Sequence, residues 1–489
     1  MHRPGNRIAP GLRSAARPHH ATGPTPLAPI LDGSTTGWHT AFAERLRGPL
    51  DPAALQAALG AVATRQDALR YRIVDGAGVV DPPGVVPLAV IDLTDAPPGV
   101  LDARLADLAR TAFDPADGLW RAALYRLGTD DHVLAVAGHR AVFDDRTQAL
   151  LYAELASAYP AATGLPPMPT TFAGYVAGRR GRSDLSWWSA HLAGVAPRLD
   201  LPADGSHRGR RPVRHGFAAA LLDPGACAGV GDLARSLGAT PAAVLLAALG
   251  VVLARLTGQA DFVIGSPTVG ARSPASEPLI GSLAEIAPLR LRPDPATSFA
   301  SHVRQARDEL LEALTNPTVG PAVSDALVQV LFETVDAEAP ALELAGLAAQ
   351  PVPLPTPTPV ELTIRCVPEG DRLRLAAAYD ADRYRPERIS ALLATLGHLL
   401  AQAVTSPGRY TGEFALRPDD QPAPDRDQTV VDRLGRRTAV GELGEIVVRW
   451  AGGWLGTGRP GRYRPDGTVE PAGPVPAGRP VTPMGAASS

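Results

Sequence analysis

The sequence predicts an α+β protein of two similar-sized units followed by a small β-rich appendage. Asp51-Pro52 and Thr240-Pro241 each place an N-cap side chain and a first-turn proline ahead of apolar residues at helical spacing, which marks a helix start. Apolar alternation is read over 122–127 and 132–138, the period of a strand buried on one side, and a further strand over 373–379. After Pro407 the composition shifts to Pro, Asp, Arg and Gly with only short strand-like pieces, so the end of the chain reads as hairpins.

In chain order, residues 1–24 carry Arg3, Arg7, Arg13 and Arg17 among Gly, Pro and Ala. No apolar run there has signal-peptide length, so a disordered basic leader is expected. The first unit, 25–185, opens with a helix on which Leu55, Leu59, Val62 and Ala63 share a face. A strand over Tyr71–Val74 follows, then the two alternating runs, then a helix over Thr147–Ala158 with Leu150, Leu151, Leu155 and Ala158 on one side. A Pro-, Gly- and Arg-rich connector over 160–204 contains one short helix around Trp187 and Trp188.

The second unit, 186–416, holds an almost wholly apolar helix from Pro241 to about Leu256, stopped by Gly258. Such a helix belongs in a core. Strands at 261–265, 287–291, 329–334 and 373–379 and helices at 299–314 and 386–403 complete it. In the appendage, 417–474, the turn Arg464-Pro465-Asp466-Gly467 lies between Tyr463 and Val469. Residues 475–489 are expected to be disordered.

Composition excludes several function classes. At roughly 150 residues per domain, 489 residues suggest about three domains or two large ones. Lys plus Arg is 47 against 50 acidic residues, net charge −3, so no charge excess suggests nucleic acid or a membrane surface. No run of about 18 uncharged apolar residues suggests a membrane span. Cys227 and Cys366 form no disulfide framework and have no metal-ligand spacing, so a reducing cytoplasmic interior with no metal site is expected. Every basic residue is arginine. Chemistry that needs a lysine amine, including phosphate-loop, Schiff-base and pyridoxal phosphate sites, is therefore excluded, and no cofactor is expected. Abundant Ala, Gly, Pro and Arg without Lys fits GC-rich, actinobacterial coding.

The most informative segment is Gly138-His139-Arg140-Ala141-Val142-Phe143-Asp144-Asp145, between a strand and the helix from Thr147. It resembles the His-His-x-x-x-Asp-Gly core of nonribosomal peptide synthetase condensation domains. Further blocks extend the resemblance over about 25–416: Leu46-Arg47-Gly48-Pro49-Leu50-Asp51, Ala68-Leu69-Arg70-Tyr71-Arg72, Trp188-Ser189-Ala190-His191-Leu192, Leu201-Pro202-Ala203-Asp204, Asp261 to Pro267, Leu279-Ile280-Gly281 and Val330-Leu331-Phe332. The resemblance implies two chloramphenicol-acetyltransferase-like lobes in a V-shaped pseudo-dimer, with a tunnel meeting the motif loop. It also implies a carrier protein or synthetase module as partner.

Two departures fall within the motif. The family's second histidine lies beside the acceptor amine; here it is Arg140, whose guanidinium accepts no proton at neutral pH. The motif glycine is Asp145, where a phosphopantetheine arm would thread, and an aspartate there adds bulk and a charge to be paired. Arg140 and Asp145 are expected to pair or to close the tunnel. No catalytic residue is expected: the resemblance makes His139 a loop-stabilising residue and Asp144 the structural partner of Arg70.

The variant His-Arg-x-x-x-Asp-Asp is similar to the X-domain of glycopeptide-antibiotic synthetases. That similarity implies a non-catalytic protein of secondary metabolism that recruits a cytochrome P-450 oxygenase to carrier-bound peptide. The alternative is an atypical condensation or acyltransferase enzyme on carrier thioesters, using His139 or His302. The appendage resembles the late core of adenylation domains at Asp432 to Arg436, Gly441 to Ile446 and Thr457-Gly458-Arg459. Arg459 replaces the aspartate that holds the nucleotide ribose in that family, so a relic or a hairpin cover on the second lobe is expected there.

Overall fold

A computed structural model describes residues 39–75, 77–144, 146–159, 165–178, 185–205, 214–269, 273–316, 327–335, 341–354, 357–416, 428–450 and 453–472. The leader, the tail and Asp145 lie outside the described residues.

The first half runs β1 (His39–Arg47), α1 (Pro52–Arg65), β2 (Tyr71–Val74), β3 (Ala77–Val80), β4 (Leu88–Asp92), α2 (Val100–Arg110), β5 (Trp120–Gly128), β6 (Asp131–His139), α3 (Thr147–Ala158), α4 (Phe172–Gly178) and α5 (Leu185–His191). Asp51 caps α1 by accepting from the amides of Ala53 and Ala54 at 2.8 and 3.2 Å, with Pro52 in the first turn. Period-two alternation in β1 separates two cores. Phe42 and Leu46 join α1 and α3 residues on one face, whereas Ala41 and Ala43 join Leu105 and Leu108 of α2 on the other.

The second half runs β7 (His215–Leu222), α6 (Pro224–Ser236), α7 (Pro241–Thr257), β8 (Phe262–Val269), β9 (Ala284–Leu291), α8 (Phe299–Thr315), β10 (Val330–Thr334), β11 (Ala348–Val352), β12 (Leu362–Glu369), β13 (Arg372–Asp380) and α9 (Pro386–Thr405). Helix α7 is buried along most of its length. Thr240 caps its start and Gly258, at φ 74°, closes its end, as the cap residues predict. Among the described residues no single helix is long and apolar enough to cross a membrane.

The second sheet has strand order β7-β13-β12-β10-β8-β9. The first has order β11-β1-β6-β5-β4, so it takes its edge strand from the second half: β11 pairs antiparallel with β1, Ala43 opposite Val352. Leu279, Ile280, Leu283, Leu342 and Leu344 also belong to the first lobe's core. The first sheet and its core thus draw on residues from both sides of position 185. The first lobe's sheet and core are completed by apolar residues that only the later chain supplies.

The appendage is a four-stranded sheet of β14 (Gln428–Val431), β15 (Gly444–Trp450), β16 (Gly453–Tyr463) and β17 (Val469–Pro471). Tyr463 faces Val469 across the predicted turn, with Gly467 at φ 82°. The sheet rests on the second lobe. Arg255 of α7 hydrogen-bonds the buried Glu442 and donates to the Phe414 carbonyl at 2.7 Å, and the Leu443 amide donates to the Arg255 carbonyl.

Candidate functional site

The motif loop begins where β6 ends and is held by three local devices. Gly138 leaves room for Phe143 to fold back over the strand: a Cβ at this position would fall 2.2 Å from the Phe143 ring. His139 is fully buried, and its Nδ1 accepts from the Ala141 amide at 3.0 Å. Its ring lies against His39 and Phe113, with centroids at 5.9 and 6.3 Å. Burial, followed by the charge of Arg121, pushes His39 down to about 4.

Asp144 is the third device. Its Oδ1 accepts from the Arg146 amide at 3.1 Å and the Thr147 hydroxyl at 3.2 Å. Its Oδ2 accepts from the Leu283 amide at 3.2 Å, tying the loop to the segment that crosses from the second half. The Arg70 guanidinium donates to the carbonyls of Ala63 and Thr64 in α1 and of Asp81 after β3; no ion pair between Arg70 and Asp144 is seen among the described residues.

Arg140 faces the second lobe. Its Nη2 lies 3.8 Å from Glu333 Oε1, and its Nε is buried with no hydrogen-bond partner among the described residues. Glu333, 4% exposed, is held by Arg365, whose Nε and Nη2 both donate to Oε2 at 2.8 and 2.5 Å. Burial alone would raise this carboxyl. The charges of Arg365 and Arg140 and the Arg365 hydrogen bond outweigh it, holding Glu333 below the ordinary glutamate range. Arg140 thus pairs with a glutamate from the other lobe; Asp145 is not among the described residues.

Strand register explains the surrounding surface. Glu333, Arg365, Ala376 and Ala219 form one row across β10, β12, β13 and β7. The row on one side is Thr363, Ala378 and Phe217, and on the other Val367, Arg374 and Leu221. Alternate residues of a strand share a face, so small alanines floor a trough with charged groups along its length. Pro353, Leu354, Pro357 and Pro359 wall it and Arg140 stands over it, enclosing a cleft of about 520 Å³.

A family model described as a condensation domain matches residues 28–423. The chain belongs to the condensation-domain family. Among curated proteins, this condensation-family chain is 28% identical over 451 residues to the nonribosomal peptide synthetase kk1B of Curvularia clavata, covering 82% of the chain and 3% of that protein. It is 28% identical over 403 residues to the cyclosporin synthetase simA of Tolypocladium inflatum, covering 75% of the chain and 3% of that protein. The chain thus spans a small part of these synthetases.

Among solved structures, the X-domain from teicoplanin biosynthesis matches with TM-score 0.69 and 28% identity, covering 79% of this chain and 94% of that one. A complex of that X-domain with OxyB matches with TM-score 0.71 and 27% identity, covering 86% and 100%. The first condensation domain of the calcium-dependent antibiotic synthetase shares the fold, with TM-score 0.64 and 22% identity over 78% and 94%.

In this condensation domain the motif position that faces the cleft is a cation. Among the described residues lining the cleft, Glu333 is the sole candidate proton acceptor, and two arginines hold it ionised. His139 is buried beneath the loop, and His302 is hydrogen-bonded on α8 to the Asp294 carbonyl at 2.9 Å and to Gln305 at 3.1 Å; neither lines the cleft. His191, Glu309 and Glu312 place three ligand-type atoms within 4.8 Å. His191 already binds Glu309 at 2.8 Å, and that carboxylate also accepts from the Arg290 amide, so the donors are spent on one another. Glu333 and Arg365 escaped the sequence reading. Their only local signal is a charged residue inside an otherwise apolar strand run.

Proposed function

We propose that this chain is a non-catalytic, X-domain-like member of the condensation family, acting in nonribosomal peptide biosynthesis. In this reading it binds a carrier protein or synthetase module and recruits a tailoring oxygenase of the cytochrome P-450 class to the carrier-bound peptide. The observation that carries the reading is the Arg140–Glu333–Arg365 arrangement. Condensation requires an amine to lose a proton as it attacks a thioester. Here the position beside that amine is a permanent cation, and the neighbouring carboxylate is a weak base because two guanidiniums stabilise its ionised form. Loss of a positioned general base costs about 10²- to 10⁴-fold in rate, and a bulky cation where the amine must sit adds to that cost. Similarity to an X-domain solved with OxyB supports the choice of partner.

The test has two arms. Purified protein is incubated with carrier-bound donor and acceptor thioesters, and Arg140→His is assayed alongside. No amide product is expected from either, because the variant regains the histidine but keeps Asp145 where the motif glycine would let a carrier arm thread. Product from the wild type would replace this reading with that of an atypical condensation enzyme. In the second arm, oxygenases encoded nearby are tested for a complex that weakens as salt rises, as charge-steered docking does. Binding indifferent to salt and abolished by Arg140→Ala would make the motif cleft itself the docking site and overturn recruitment on an outer face.

A further inference from the structure

We infer that the inter-lobe cleft is a binding site for a small monoanionic carboxylate with a narrow apolar or aromatic body. The inference rests on the reading of this cleft as a pocket without a general base. Its volume of about 520 Å³ falls within the range of small-molecule sites, about 300–1,000 Å³. Among the described residues the charges about it do not balance. Arg140, Arg365 and Arg374 face it, while the described carboxylates paired with them are Glu333, which lines the cleft, and Glu369, which pairs with Arg374.

The surplus cation is Arg140. Arg365 places two hydrogen bonds on one Glu333 oxygen, and Arg140 lies 3.8 Å from the other, beyond hydrogen-bond range. Its Nε has no partner among the described residues, so a largely buried guanidinium keeps an unspent donor edge. A planar fork of this kind matches a carboxylate bidentately. One surplus positive charge matches a monoanion and leaves a dianionic phosphate half neutralised.

The rest of the cleft sets the shape of the body. Ala219, Ala376 and Ala378 make the floor low, prolines and Leu354 make the walls apolar, and Phe217, 42% exposed, offers a ring face at the open edge. An apolar group of about one ring in width fits between them. A neutral thioester presents no charge for Arg140, so the selectivity differs from that of an acyl-transfer tunnel.

The full chain is titrated by calorimetry at low ionic strength with N-acetyl-L-phenylalanine and, separately, with its methyl ester. The acid is expected to bind saturably and the ester at least tenfold more weakly. Arg140→Met should weaken the acid tenfold or more and leave the ester unchanged. Arg374→Met, at the half-exposed rim, should weaken the acid about threefold, and it decides the matter if Arg140→Met does not fold. Equal affinity for acid and ester, or acid binding unchanged in the variants, would overturn the inference. Amide product in the thioester assay would overturn the non-catalytic reading and leave this titration standing, so the two failures are distinguishable.

Discussion

Replacing Glu333 by leucine leaves Arg140 and Arg365 without the anion they share. Breaking a buried ion pair by removing one partner costs about 3–5 kcal/mol. Arg140 and Arg365 are 14% and 26% exposed and border an open cleft, so both can gain hydration, and the expected loss lies at the lower end, about 3 kcal/mol. That is roughly a hundredfold in the folding equilibrium. For a cooperative unit of 150–250 residues it corresponds to a fall of roughly 6–12 °C in Tm.

Denaturant unfolding followed by circular dichroism measures the loss, and pH gives an internal check. The folded-state pKa of Glu333 is lowered from 4.5, so its contribution is fully present above that value and lost as pH falls through the folded one. Wild-type and variant stabilities should therefore converge in acid. The triple change Arg140→Met, Glu333→Leu, Arg365→Met should recover most of the loss, since apolar replacement of a whole buried triad is often neutral or stabilising. A Glu333→Leu loss under about 1 kcal/mol, or a triple variant less stable than the single one, would refute the reasoning.

Three further outcomes are expected. Gly138→Ala should destabilise by about 1–3 kcal/mol through overpacking against Phe143, read by thermal melting; an unchanged Tm would show that the loop refolds freely. Arg255→Ala leaves Glu442 buried without its cation, so limited proteolysis should cut within 428–472 while the two lobes stay resistant; uniform resistance would mean that other contacts hold the appendage. His39 has a folded pKa lowered from 6.5 to about 4, so the stability it confers is present above pH 6.5 and lost as pH falls towards 4, on the order of 3 kcal/mol. His39→Phe should flatten that part of the stability curve, and a wild-type-minus-variant difference that does not change with pH would count against a neutral buried His39.

Helices with explicit caps were legible in the sequence. The caps at Asp51 and Thr240 put the starts of α1 and α7 where they are observed, and Gly258 puts the end of α7 within a residue, since capping is a local interaction. Strands β7 and β12 were not. His215–Leu222 holds consecutive alanines, and Leu362–Glu369 loses its alternation at Val367 and Pro368; β7 is a strand because β13 supplies its ladder, and β12 because β10 and β13 pair with it on either side. Helix α6 escaped although Asp223-Pro224 caps it, because its glycines dilute the apolar period. The same division runs through the candidate site. The loop from His139 to Asp144 is contiguous and could be read. Glu333 and Arg365 meet Arg140 only through parallel pairing of β10 with β12 and the closure of two lobes, and neither leaves a trace in local spacing.

Strand β11 also sets a timetable. Until it arrives, one edge of β1 has no partner, and an unpaired edge is where strands from other chains add. During synthesis β6 emerges early, whereas Val352, which closes the ladder opposite Ala43, follows more than two hundred residues later, roughly 10–40 s at about 5–20 residues per second. The first lobe must spend that interval unfinished. A gene cut between the two halves would make the delay permanent, so separately expressed halves should each aggregate and co-expressed ones should rescue one another.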